Sequence, residues 1–304
     1  MNQFEVSHHQ NFSRIAFTAM ASPCEILLRN LEPAFCHTIA NTAFNETSRI
    51  EKKYSRFIQG NLVDTMNKSQ GKKITIDDET FKLLEYARNL FELSNGLFDI
   101  SSGVLRRIWR FENNSSPPSQ KQISNQLKKI GFDKIDYDES SFYMNKGMEI
   151  DFGGIGKEYA VDQVSSLLLE ACTPTKSSFL VNFGGDLSAR KLASDALPWT
   201  VGVESVGCQD ELASEEWPNS FITISQGAVA TSGNTKRFFD YEGKRYGHLM
   251  NPKTGYPVEN PPLSVTTFAD NCVMAGSYSS LAMLMGAQAE EFLTEQSIKH
   301  LCFW

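Results

Sequence analysis

Residues Glu149 to Ala171 read "EIDFGGIGKEYAVDQVSSLLLEA". A short β-prone run passes through Gly153, Gly154 and Gly156 into a segment whose Ala160, Val161, Val164, Leu167, Leu168 and Ala171 share one face at helical spacing. Strand, glycine turn and amphipathic helix in that order predict a helix packed on a sheet. They also point free backbone N–H groups at the helix start, a geometry suited to an anion. Spacing excludes the two standard nucleotide folds. G-x-G-x-x-G is absent, and the Walker A pattern fails because Asp151 stands in place of its first glycine and Glu158 follows Lys157 in place of Ser or Thr.

Outward from this stretch, "KIDYDESSFYMNKG" upstream alternates β-prone runs with turn residues and predicts hairpins. Downstream, "SFLVNFG", "WTVGVES", "SFITIS" and "SVTTFAD" predict strands, "FFDYEGKRYGH" a hairpin, and "CVMAGSYSSLAMLMG" a helix. Toward the N-terminus, Ile39, Ala43, Phe44, Ile50, Tyr54 and Phe57 recur at helical spacing. So do Phe81, Leu84, Ala87, Leu90 and Phe91 after the capping candidates Asp77 and Asp78, which predicts a mainly helical first third. A short helix is expected from about Ser119, stopped at Gly131. The class is α+β, with mixed or antiparallel sheets and packed helices. The linker-like "ENNSSPPSQ" is short enough for a surface loop, so one domain over 1–304 is expected.

With 304 residues and 41% hydrophobic composition the chain can fill a sizeable core. A formal charge of -7 argues against general affinity for nucleic acid or an anionic membrane surface, which comes from clustered Lys and Arg. Phosphate binding must then be local. The N-terminal segment lacks secretory-signal features and no later segment reaches membrane-spanning length, so a cytoplasmic location is the default expectation. Cys24, Cys36, Cys172, Cys208, Cys272 and Cys302 are spread singly, without CxxC spacing, and are expected to be reduced and mostly buried.

Three further short motifs stand out. "NFGGDL" (Asn182 to Leu187) ends a strand in two glycines, and "VATSGN" (Val229 to Asn234) reads as a turn with two hydroxyls and a glycine. Each alone is more readily a tight turn than a ligand loop. "YGHLMNPKTGYP" holds His248, the one histidine of five with a motif around it: either a general base suited to neutral pH, a phosphate contact, or an imidazole bonded to the Asn251-Pro252 turn.

Read in order, "FTAMASPCEILL", "YSRF", "NGLFDISSGVL", "DFGGIGKEYAVD", "NFGGDL", "VATSGNTKRFF", "YGHLMNPKTGYPV" and "SVTTFADNCVMAGSYSSLAMLMG" closely resemble the ApbE family of FAD:protein FMN transferases, from Phe17 to Gly286. The resemblance implies a T-fold-like architecture and a flavin transferase that binds FAD and a divalent metal, usually Mg²⁺. It further implies protein flavinylation: FMN moves onto a Ser or Thr hydroxyl of an acceptor protein and AMP leaves. Carried over by motif, Met20, Phe57, Leu97, Phe98, Asp99, Asp151, Lys157, Asp186, Ser232, Gly233 and Leu249 are expected at FAD, His248 as the base, and Gly154 and Ser280 at the metal. For some of these residues the plain readings stay open. Phe57, Phe98 and Met20 also suit a core, Asp186 a turn cap, and Asp162, on the helix, either a ligand contact or a solvated charge.

The resemblance departs at one position. The family's last motif commonly carries Asp with Thr four residues later, both facing the metal; here the matching residues are Gly276 and Ser280. Three outcomes stand open: neutral oxygens and the FAD phosphates suffice, another acid such as Asp99 or Asp186 substitutes, or transfer is lost. The last would leave a flavin-binding protein with weak or no transferase activity, and a third class, FAD hydrolysis to FMN and AMP, needs only water as acceptor. A Gly276→Asp change is expected to restore the carboxylate without harm to folding, since glycine is a poor helix residue.

Overall fold

The computed structural model describes residues 3–112, 115–194, 197–203, 220–235 and 237–304. The chain opens with three strands where mostly helix was expected: β1 (Glu5–His8), β2 (Ser13–Ala19) and β3 (Ser22–Arg29). Their signal is a period of two, with Ile15, Phe17 and Ala19, then Cys24, Ile26 and Leu28, all buried. Met20 and Ala21 turn β2 into β3 with φ of 52° and 55°, the left-handed pair of a tight two-residue hairpin.

Helix α1 (Pro33–Tyr54) starts with proline in its first turn and buries Cys36, Ile39, Ala40, Ala43, Ile50 and Tyr54. Phe57 lies beyond its end. After α2 (Leu62–Asn67) and β4 (Ile74–Thr75), α3 (Asp78–Leu93) is capped by Asp77, which accepts from the Thr80 N–H. A 3-10 segment, Ile100–Arg107, leads to α4 (Gln120–Leu127), whose Ser119 and Gln122 form the reciprocal capping box. β5 (Ile135–Asp138) and β6 (Ser141–Met144) form the expected hairpin, and β4 joins it.

The strand expected at Glu149–Phe152 does not form. The Asn67 side chain takes the place of a partner strand: its Oδ1 accepts from the Ile150 N–H at 2.7 Å and its Nδ2 donates to the Ile150 carbonyl at 3.0 Å. The Asp151 N–H goes to the Ile100 carbonyl. Helix α5 (Gly156–Cys172) follows, burying Ala160, Val161, Val164 and Leu168, while Ala171 faces solvent.

β7 (Ser178–Phe183), β8 (Asp186–Arg190), β9 (Trp199–Val203), β10 (Ser220–Ile224) and β11 (Gln226–Gly233) come next. They are followed by the hairpin β12 (Phe238–Tyr241) and β13 (Lys244–Gly247), then β14 (Ser264–Ala269), α6 (Cys272–Met285), α7 (Ala289–Glu295) and β15 (Lys299–Phe303). Eight strands form an antiparallel sheet in the order β1-β2-β3-β7-β8-β11-β14-β15. Neither α7 nor β15 was foreseen, and β15 closes the sheet edge beside β14.

Helices α1, α5 and α6 cover the sheet and share the main core with it. Alternate residues, Leu180, Leu187 and Val229, pack instead with Trp199 and Ile224 of the β9–β10 ribbon. A third cluster gathers on Trp109, whose Nε1 donates to the Gly255 carbonyl at 2.8 Å and holds the Lys-Thr-Gly turn to the 3-10 segment. The family-like α+β architecture is thus present, with a wholly antiparallel main sheet. Cys24, Cys36, Cys172 and Cys272 are free and buried, Cys302 is free and half-buried, and Cys208 lies outside the described residues. Among the described residues no helix is long and apolar enough to cross a membrane.

Candidate functional site

The motifs meet at the start of α5. Ile155 and Gly156 both donate to the Phe152 carbonyl, at 3.0 and 2.8 Å, and no side chain caps the helix. The Met20 methyl lies 4.0 Å from where a Cβ on Gly156 would stand, and the Met20 N–H donates to Glu51 Oε1 at 2.9 Å. Phe98, 8% exposed, lays its ring over Gly154, 3.1 Å from the position of a Cβ there, so glycine at 154 is what admits the ring. Leu97 beside it is half-buried.

Lys157 crosses to the second glycine turn. Its Nζ pairs with Asp186 Oδ2 at 2.7 Å and lies 3.6 Å from where a Cβ on Gly184 would stand. Burial pulls the lysine down, but the Asp186 charge outweighs it and holds the ammonium above its ordinary pKa. Asp186 is buried and accepts weakly from the Thr231 N–H at 3.3 Å, which ties in β11. It is more than a turn cap.

"VATSGN" proves to be the end of strand β11, paired to β14 up to Gly233 opposite Ser264, and not a turn. A β-branched run outweighs the turn signal of Ser-Gly once β14 pairs along its whole length. There Ser232 Oγ lies 2.8 Å from Ser279 Oγ and 3.2 Å from Ser280 Oγ. Gly233 is followed by Asn234, whose carboxamide abuts Gly247, the residue before His248. The candidate base is therefore joined to the Ser232–Ser280 cluster through one contact.

His248 is half-buried, its N–H donates to the Arg237 carbonyl at 3.1 Å, and its Nδ1 is buried without a partner. Burial, aided by the Arg237 charge and opposed by a hydrogen bond to the Arg237 backbone, holds its pKa below the ordinary histidine value. The ring is neutral at pH 7 and able to take a proton. The Asn-Pro turn is held by its own side chain: Asn251 Oδ1 accepts from Lys253 N at 2.9 Å and Thr254 N at 3.4 Å. Leu249 packs against the main core and accepts from Val258 N.

Other expected residues are committed elsewhere. Asp99 caps the 3-10 segment, with one oxygen taken by Ser101 (N at 2.7 Å, Oγ at 2.6 Å) and the other by the Phe132 N–H at 3.1 Å. It has little capacity left to serve as the substitute acid. Asp151 pairs with Arg56 and, at 3.1 Å, with Arg106, and accepts from Gly153 N. Phe57, far from being core, is 76% exposed with the Arg56 guanidinium 4.6 Å over its ring. Arg56 lay inside the quoted "YSRF", yet only the tertiary contact with Asp151 draws attention to it.

Asp162 is neither ligand nor solvated charge. It accepts from Cys272 N at 2.7 Å and Val273 N at 2.8 Å, the orphan donors at the start of α6. Asp162→Ala is expected to lower unfolding stability by about 1–2 kcal/mol, read by denaturant titration, with flavin binding intact. Unchanged stability would remove the capping role.

Glu158, passed over in the sequence except as a defect in Walker A, is 8% exposed, and its Oε2 is buried with no partner. Burial, then the nearby Asp186 charge, pushes its carboxyl well above the ordinary range, against the pull of Lys157. The expectation for Gly276→Asp also needs correction. A Cβ on Gly276 would fall onto Glu158 Cγ, and within 3.1 and 3.2 Å of Cδ and Oε1, so any side chain there collides with Glu158. Helix propensity is overridden by sterics. For a divalent cation the donor set fits: hydroxyls at Ser232 and Ser280, and a buried carboxylate oxygen without a partner.

Glycine turns bridged by a buried lysine–carboxylate pair form a site whose chemistry suits an anion. The chain belongs to the ApbE family, whose profile matches residues 20–302. It is 27% identical over 248 residues to an FAD:protein FMN transferase of Haemophilus influenzae, covering 79% of this chain and 68% of that relative. To the Escherichia coli protein of the same name it is 28% identical over 214 residues, covering 67% of this chain and 59% of that one. Its fold matches the ApbE protein of Thermotoga maritima, with a TM-score of 0.81 at 26% identity over 96% and 94% of the two chains. It also matches the Pseudomonas stutzeri flavinyl transferase ApbE, with a TM-score of 0.82 at 22% identity over 99% and 92%.

Proposed function

We propose that the chain transfers FMN from FAD to a Ser or Thr hydroxyl of an acceptor protein and releases AMP, with a divalent cation, Mg²⁺ in the first instance, assisting. The observation that carries the reading is the convergence of separate motifs on the start of α5, with Met20 at Gly156, Phe98 at Gly154, and Lys157 at Gly184 and Asp186. The exposed face of Phe57 offers a stacking surface for the flavin ring. The α5 start and Lys157 face the pyrophosphate.

In the reaction the acceptor oxygen forms a bond to the FMN phosphorus while the P–O bond to AMP breaks, and the hydroxyl proton passes to neutral His248. A ring nitrogen of His248, whose Nδ1 has no hydrogen-bond partner, supports that role. Ser280 and the Gly154 carbonyl are the residues that would hold the cation, which when bound neutralises charge on the pyrophosphate. Lys157 and Asp186 stiffen the two glycine turns against each other.

Product identity tests this. FAD and Mg²⁺ incubated with a Ser/Thr-containing acceptor protein are expected to yield flavin-labelled acceptor and AMP. Free FMN and AMP in either arm would make the chain a hydrolase, and intact FAD in both arms a flavin-binding protein only.

A further inference from the structure

Gly276 and Ser280 are one turn apart on α6, so their side-chain positions share a face, and a side chain at 280 leans back toward 276. The space a side chain at 276 would fill is not empty. It holds the carboxylate end of Glu158, delivered from the first turn of α5, with Cδ and Oε1 at 3.1 and 3.2 Å from the position of a Cβ on Gly276. Glycine at 276 is what makes room for it.

The same carboxylate is short of partners. Glu158 is 8% exposed and its Oε2 accepts nothing, while the neighbouring ammonium, Lys157, is engaged by Asp186 at 2.7 Å. Asp186 and Glu158 both lie in the field of that one lysine, and Asp186 holds it. A buried carboxyl oxygen without a partner is costly, and a hard divalent cation that takes the place of the carboxyl proton is a ligand that would relieve it. One turn along α6 from Gly276, Ser280 Oγ lies 3.2 Å from Ser232 Oγ.

We propose that Glu158 is a metal-ligating residue of this site, supplying from α5 the carboxylate that position 276 on α6 does not carry. An acid on α5 faces a glycine on α6 across one contact, and its carboxyl fills the space that a side chain at 276 would take. The cation's role in catalysis rests on the flavin-transferase reading, but its binding does not.

The test reads binding without turnover: Mn²⁺ titrated into the full-length protein and followed by its electron paramagnetic resonance signal, with and without ADP as a pyrophosphate that carries no flavin. Wild type is expected to bind, and the near-isosteric Glu158→Gln to bind about tenfold or more weakly at an unchanged melting temperature. Gly276→Asp alone should melt lower, because its side chain meets Glu158. The exchange Glu158→Gly with Gly276→Asp should recover both melting temperature and Mn²⁺ affinity, and it decides the matter if Glu158→Gln fails to fold. Wild type that binds no Mn²⁺ in either condition, Glu158→Gln that binds like wild type, or Gly276→Asp that folds normally and binds more tightly would each overturn the assignment. Glu158-dependent Mn²⁺ binding in a protein that transfers no FMN would sink the transferase reading and leave this one standing.

Discussion

Replacing His248 with Ala or Gln is expected to lower FMN transfer by about 100-fold or more, the usual scale for a positioned acid–base group, while FAD affinity changes little. The expectation rests on two properties of the ring: Nδ1 is buried without a partner, and burial keeps the imidazole neutral. The sign of the pH dependence follows. A base whose pKa lies below the ordinary histidine value stays deprotonated as pH falls through 6.5, so transfer should persist to below that point and decline only when the ring itself protonates. The same ring costs the fold stability on the acid side, because below 6.5 the unfolded chain takes up the proton more readily. Single-turnover rates across pH, for wild type and His248→Gln, measure this. A variant with undiminished rate, or the same acid limb, would leave His248 as a loop residue.

Lys157→Ala should produce the largest loss of stability. It removes the ammonium paired at 2.7 Å with Asp186, a residue only 3% exposed, and leaves Asp186 and the neighbouring Glu158 as buried acids with no ion-pair partner among the described residues. Breaking a buried pair from one side costs about 3–5 kcal/mol, to be read by denaturant unfolding. Adding Asp186→Asn to Lys157→Ala should recover part of that, because one of the stranded charges goes. FAD affinity should fall more than FMN affinity if the lysine also serves the pyrophosphate. If Lys157→Ala unfolds at the wild-type denaturant concentration, the pair contributes nothing and the two glycine turns are held by backbone alone.

Much of the architecture was legible locally. Asp77, Ser119 and Asn271 cap the helices that follow them, as short polar residues before apolar periodicity do. Missed were the elements whose signal is not local. Residues 149–152 look like a strand, but Asn67, far upstream, takes the hydrogen bonds of Ile150, and the Ile100 carbonyl takes the Asp151 N–H. Ser-Gly in β11 looks like a turn until β14 pairs with it. Phe57 continues a helical spacing that ends at Tyr54, where the chain leaves the helix and exposes the ring.

The site divides in the same way. Sequence by itself determined the family, the run of glycine motifs and the candidate base, because residue type and order along the chain carry that information. It also exposed the missing acid at 276. What fills that gap is not in the local sequence, since Glu158 and Gly276 are over a hundred positions apart and nothing along the chain links them. Only the packing of α5 against α6 shows that the side chain removed from one helix makes the volume the other occupies. Close packing leaves room for one carboxylate there, and which helix delivers it is a property of the tertiary structure.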